Sequence, residues 1–336
     1  MPSRTPSARS SKARTTAAAA PRRFRPSDLL KQIQLSSLAV SPDGATVVYG
    51  RRTIEKGEYR SGLWRVSFGG GRPERITAAG AVDWRPRFSP DGRRLLFLSS
   101  RSGRTQPWVM GTAGGEPQPL AEFDGNVRAA EWSPDGRHVL VVAPSGEDRY
   151  LVGPADDPVA RRITDFTWRL DGFGVRDQFH SAWIVGANGG KPARVTDPTF
   201  EVFDAFWSPS GDRIGFLADL RDEAAVEELA QAWSIPSAGA SRKQKQKPKP
   251  LASLAGAIAG ASWGPDGSVA VVGVDLPGWP EWANYELFVS KGGASRVLGR
   301  ELDRSAMNFS FGDLIETEVF FAPVIAWQDA SHVLAL

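Results

Sequence analysis

Phe88-Ser89-Pro90-Asp91-Gly92 runs directly into Leu95-Leu96-Phe97-Leu98. The proline presets φ for a turn, Asp supplies a capping acceptor, and Gly tolerates positive φ. An apolar, β-favouring run follows at once, so the stretch reads as strand, tight turn, strand. The same pattern recurs as Ser41-Pro42-Asp43-Gly44, Ser133-Pro134-Asp135-Gly136, Ser208-Pro209-Ser210-Gly211 and Gly264-Pro265-Asp266-Gly267. The preceding residues are Val40, Phe88, Trp132, Trp207 and Trp263 in chain order. The turn glycines are 48, 44, 75 and 56 residues apart. A period of roughly 40–50 residues is the size of a propeller blade.

A second element follows each turn. An aromatic in a short β run leads to a glycine-rich turn: Trp64 to Gly69-Gly70-Gly71, Trp108 to Gly114-Gly115, Trp183 to Gly189-Gly190, Phe288 to Gly292-Gly293, and more weakly Trp233 to Gly239. Two hairpins per unit give four strands. The expected fold is therefore all-β, a β-propeller of four-stranded blades. The units fall at about 38–77, 84–120, 129–196, 205–254 and 260–298, with a partial blade from 323. The third unit is long, which predicts an inserted hairpin over about 145–175, around Asp171-Gly172. The fourth carries a Lys/Gln/Pro run at 241–250, expected to be a flexible loop. The chain stops within the sixth unit, after Trp327 and His332-Val333-Leu334-Ala335-Leu336. A propeller must close its ring to protect its strand edges, so this reading expects a truncated chain and an incomplete ring.

Composition narrows the function classes. The 336 residues include no cysteine, which excludes disulfides, thiolate metal sites and a cysteine nucleophile. The net charge of +3 hides an uneven distribution. Residues 1–31 carry +7 and residues 242–249 carry +5, leaving −9 for the rest. Residues 1–26 read as a disordered basic tail. The folded part is acidic overall, which argues against nucleic-acid binding. No run approaches 18 apolar residues, so no membrane span and a cytoplasmic location are expected.

The chemistry-bearing motifs read as structure. Gly260-Ala261-Ser262-Trp263-Gly264 matches G-x-S-x-G, a nucleophile elbow, which needs a helix after it. Pro265-Asp266-Gly267 follows instead, and the stretch is the fifth copy of the blade turn. His138, His180 and His332 flank blade strands and stand in no metal-ligand spacing. Gly172-Phe173-Gly174 lacks the third glycine of a dinucleotide fingerprint. Trp132, Trp207 and Trp263 are expected in the core, and Asp43, Asp91, Asp135 and Asp266 as turn caps. Asn308-Phe309-Ser310 is a formal glycosylation sequon without a secretory context. No catalytic, cofactor or metal residue is assigned.

The repeat resembles that of TolB-like propellers and of the prolyl oligopeptidase family. Phe88-Ser89-Pro90-Asp91-Gly92 through Trp108 and Gly114-Gly115-Glu116-Pro117 is similar to both. The entry Ser27-Asp28-Leu29-Leu30 and the insertion Arg169-Leu170-Asp171-Gly172-Phe173-Gly174 are similar to the acylaminoacyl peptidase and dipeptidyl aminopeptidase branch. The absence of a secretory signal points the same way, because a periplasmic TolB would need one. That resemblance implies a non-catalytic propeller, over about 27–336, that gates access of short peptides to a C-terminal α/β-hydrolase domain carrying Ser, Asp and His. The implied partners are the missing hydrolase domain, peptide substrates and a possible second copy of the chain; no cofactor is implied. The alternative is a free-standing TolB-like propeller that binds proteins or peptides.

Overall fold

The computed structural model describes residues 23–146, 148–154, 159–166, 168–170, 174–237, 247–277, 283–292, 294–302, 304–306 and 324–335. Five four-stranded antiparallel sheets follow one another along the chain, each with its strands in sequence order from one edge to the other. The first sheet comprises Ile33–Val40, Thr46–Glu55, Glu58–Ser67 and Glu74–Arg75. The second comprises Asp83–Phe88, Arg94–Ser99, Gln106–Gly111 and Gln118–Pro119. The third comprises Ala129–Trp132, His138–Pro144, His180–Gly186 and Ala193–Arg194. Asp204–Trp207, Arg213–Ala218, Gln231–Pro236 and Lys249–Ala252 form the fourth. The fifth holds Ile258–Trp263, Val269–Gly273, Glu286–Lys291 and Ala294–Leu298. A two-stranded sheet, Ile325–Trp327 with Val333–Ala335, comes last. This is the expected all-β propeller.

The Ser-Pro-Asp-Gly turn closes the first hairpin of a sheet by a repeated set of bonds. In the second sheet the Ser89 hydroxyl donates to Asp91 Oδ1 at 2.6 Å and accepts the Arg94 amide at 2.9 Å. Asp91 Oδ1 also accepts the Arg93 amide at 3.1 Å, and Gly92, at φ 69°, donates to Ser89 O. Ser133 and Asp135 repeat the arrangement at 2.6 and 3.0 Å. The serine and amide bonds hold Asp91 and Asp135 below the usual carboxylate range. In the fourth sheet Ser210 stands in the Asp position, and Asp212 accepts the Ser208 hydroxyl at 2.9 Å instead. In the fifth, Gly264 replaces the serine and the hydroxyl comes from Ser268, which bonds Asp266. A side chain at Gly264 would press on Ser268 Oγ at 2.9 Å and on Trp327 at 3.0 Å. The glycine is thus required where the next unit seats its tryptophan.

The middle strands of the inner sheets are apolar on both faces because each of those sheets is covered on both sides. Leu95 and Phe97 pack against Val48 and Leu63 of the first sheet, while Leu96 and Leu98 pack toward Val139 and Val141 of the third. Leu140 and Val142 then meet Ile214 and Phe216, and Leu217 meets Val269 and Val271. Val272 and Val274 meet Ile325 and Ala335. The core is therefore a series of clusters between successive sheets. Full burial of one such side chain stabilises by about 1.5–3 kcal/mol. The tryptophans stitch the same junctions. Trp132 Nε1 donates to Arg87 O at 3.1 Å, Trp207 Nε1 to Glu131 O at 3.4 Å, and Trp327 Nε1 to Ser262 O at 3.3 Å.

The third sheet's insertion differs from the single hairpin expected. It forms two short ladders, Leu151–Val152 with Ala160–Arg161 and Arg169–Leu170 with Gly174–Val175. Asp171, Gly172 and Phe173 lie outside the described residues, as do the Asn308-Phe309-Ser310 sequon, most of the 241–250 run and residues 1–22.

Candidate functional site: a charged rim

In each sheet the first and third hairpin turns share one end. The connections between second and third strands, and between sheets, lie at the opposite end. That opposite end carries the insertion and the 219–230 connection, and its ionised side chains are densely paired. Glu201 precedes the fourth sheet and is buried. Its Oε2 accepts the His180 amide at 2.8 Å and its Oε1 accepts Arg128 Nη2 at 2.7 Å. His180 Nδ1 lies 3.2 Å from the same Oε1. Burial opposes the Glu201 charge, but the His180 hydrogen bond and the Arg128 guanidinium override it and hold the carboxyl down at about 2. Arg128 also donates to Val202 O at 3.1 Å, tying the third sheet to the fourth. One sheet earlier, Arg85 Nη1 donates to Arg128 O at 2.9 Å. Arg85 holds a left-handed backbone, φ 51°, inside the bulge between Trp84 and Arg87. Ser37, φ 48°, sits in the matching bulge of the first sheet.

The insertion is fastened by further pairs. Arg149 bonds Asp165 and lies 3.5 Å over the Phe179 ring, and Tyr150 donates to Asp165 at 3.0 Å. Arg176 makes a two-pronged bridge to Glu228 of the fourth sheet's connection, at 2.9 and 3.0 Å. That connection is itself clasped by Asp219, which accepts Arg221 and the Leu229 amide at 2.8 Å.

The innermost strands add Arg87, Glu131 and Asp204. Water reaches Glu131, yet the surrounding strands leave it poorly hydrated. That desolvation pushes its carboxyl up to about 7, against the pull of Arg87 and helped by the Asp204 charge. Asp204 is raised as well, chiefly by burial, with Arg85 opposing.

The residues weighed from sequence fall elsewhere. Ser262 lies in the strand Ile258–Trp263, paired with Ala270, and a turn and a second strand follow it. His332 pairs with Asp329 at 2.9 Å on an exposed turn. His138 opens a strand, its amide bound to Ser133 Oγ. His180 alone joins the rim. Sequence reasoning missed Arg85, Arg128, Glu131, Glu201 and Asp204. The available signal was a charged residue one to four places ahead of Phe88, Trp132 and Trp207, where Trp263 and Trp327 have small or apolar residues; Glu201, six places ahead of Trp207, carried no such signal. The rim's carboxylates other than Glu131 are committed to arginines or backbone amides, so the arrangement orders loops and presents charge.

Residues 31–164 match the TolB β-propeller domain family, PD40. Over 207 residues the chain is 28% identical to the uncharacterized peptidase YuxL of Bacillus subtilis, covering 58% of this chain and 31% of the relative. It is 26% identical to dipeptidyl-peptidase 5 of Porphyromonas gingivalis, covering 55% of this chain and 29% of the relative. Among solved structures, Pyrococcus horikoshii acylaminoacyl peptidase superposes with a TM-score of 0.61 at 17% identity, covering 82% of this chain and 41% of that one. The chain thus spans about a third of the length of the curated relatives it matches.

Proposed function

We propose that this chain is the propeller of a serine peptidase, admitting short peptides to an α/β-hydrolase domain that performs the catalysis. The observation that carries this reading is the similarity to two peptidases over more than half of this chain. The charged rim supports it. The rim holds the insertion at the loop-bearing end, where a neighbouring domain or an entering peptide would meet ordered arginines and carboxylates rather than bare strand ends. A TolB-like propeller that binds proteins or peptides by itself is favoured by the match over residues 31–164.

Two measurements test this. Purified 1–336 is assayed on aminoacyl and acyl-aminoacyl chromogenic substrates beside Ser262→Ala. No turnover is expected in either; activity abolished by Ser262→Ala would overturn the propeller-only reading. The gene is then read past codon 336. A G-x-S-x-G in a strand–turn–helix context, followed by Asp and His, supports the peptidase. An immediate stop codon favours the TolB-like binder.

A further inference from the structure

A groove of about 830 Å³ separates the first and second sheets at the Ser-Pro-Asp-Gly end. Comparison along the repeat explains it. At each junction two positions correspond: the residue opening the second strand, and the aromatic of the following sheet. The pairs are Thr46 with Phe88, Arg94 with Trp132, His138 with Trp207, Arg213 with Trp263, and Val269 with Trp327. At the second junction the Arg94 guanidinium lies 4.7 Å over the Trp132 ring and donates to Ala187 O at 2.8 Å and Gly136 O at 3.1 Å. The first junction has the only Phe among the five aromatics and a short Thr. The space that Arg94 and an indole fill next door stays open.

The apolar part of the groove's lining is Val66, Ile76 and Phe88, half-buried, with Val48, Leu95 and Met110 buried behind Ile76 and Phe88. The charges on its wall are mostly spent. Asp43 accepts the Ser41 hydroxyl and the Ala45 amide, and Glu74 accepts two Arg65 N–H groups at 3.0 and 2.9 Å. Arg65 also reaches Thr112 O at 3.2 Å. Arg72 and Arg75 make no ion pair among the described residues; Arg75 is turned to Thr77 O and Ala78 O at 2.9 and 3.3 Å, so Arg72 is the cation the groove offers to a ligand. Residues 111–115 line the far side, where the Gly111 and Thr112 carbonyls and the Thr112 and Gly114 amides are bonded within the chain.

We propose that this groove binds an extended acidic peptide segment, with one aliphatic or aromatic side chain between the sheets and a neighbouring carboxylate on Arg72. The site lies at the end opposite the charged rim and rests on neither reading of function given above.

The test uses full-length 1–336 and fluorescein-labelled Gly-Gly-Leu-Glu-Gly-Gly, with Leu→Ala and Glu→Gln versions of the peptide, followed by fluorescence polarisation. Each altered peptide is expected to bind about tenfold more weakly, the scale of one charge-assisted bond or one buried side chain. Arg72→Gln should bind the Glu and Gln peptides alike. Thr46→Arg with Phe88→Trp copies the second junction into the first, and should abolish binding while leaving Tm unchanged or higher. Equal binding of all three peptides, no binding, or undiminished binding to the filled variant overturns the proposal. Should the filled variant lose Tm, the Arg72→Gln comparison decides alone.

Discussion

Ser89 shows how much one side chain holds. Its hydroxyl is buried, bonds Asp91, and is the acceptor for the Arg94 amide that starts the next strand. Ser89→Ala leaves that amide without its partner, at a cost of about 1–2 kcal/mol. A urea titration checks this, with an unchanged slope and an earlier midpoint as the expected result. The two unusual glutamates act in opposite directions. Glu201 is held near 2 in the fold, below its unfolded value near 4.3. Its contribution is complete above about pH 4.5 and drains away as pH falls toward 2, on the order of 2–3 kcal/mol in all. Glu201→Gln should therefore flatten the acid limb of a stability–pH curve measured from pH 2 to 6. Glu131 is raised to about 7, so the folded state keeps its proton longer than the unfolded chain does. Its penalty accrues between about pH 4.5 and 7 and is complete above. Glu131→Gln should raise Tm at pH 8 and leave it unchanged at pH 4; an equal shift at both values would place Glu131 outside the poorly hydrated wall.

At the level of elements, the junction tryptophans do what the turns cannot: they bond one sheet to the next. Trp132→Phe removes the bond to Arg87 O and the larger ring beneath Arg94. A loss of about 1–2 kcal/mol is expected by chemical denaturation. A variant as stable as the parent would mean that shape alone, and not the indole N–H, holds the junction. The hairpins, their turns and the core aromatics were legible in the sequence because a few consecutive residues set them. Ser-Pro-Asp-Gly brings its own caps, and an apolar run such as Leu95 to Leu98 declares burial on both faces. The rim was not legible. Arg128 and Glu201 stand 73 residues apart, and only the path of the chain across two sheets brings them to 2.7 Å. The insertion was legible as extra length but not as two ladders, because pairs as short as Leu151–Val152 with Ala160–Arg161 carry no alternating pattern. The left-handed Arg85 was hidden for a related reason. Arginine gives no local sign of positive φ, and its bond to Arg128 O belongs to the next sheet.

Across the whole molecule, stability follows neighbours. Each apolar cluster joins two successive units, so an inner sheet is held from both sides while the first is held from one. The outer face of the first sheet leaves Leu35 and Leu38 each 67% exposed and Val40 43% exposed. The third sheet has Val139 and Val141 packed one way and Leu140 and Val142 the other, each at most 1% exposed. Opening that sheet breaks two clusters, and opening the first breaks one. Arrays coupled through nearest neighbours in this way fray from units with a single interface, as repeat proteins do. Hydrogen exchange read by mass spectrometry should therefore protect His138–Pro144 most strongly and Ile33–Val40 least, with the last pair, Ile325–Trp327 and Val333–Ala335, also exchanging early. The gradient should steepen in Trp132→Phe, which loosens the join between the second and third sheets and lets the first two open together. Uniform protection from the first sheet to the fifth would show instead that the sheets unfold as one unit, through links stronger than the separate clusters and the tryptophan bonds supply.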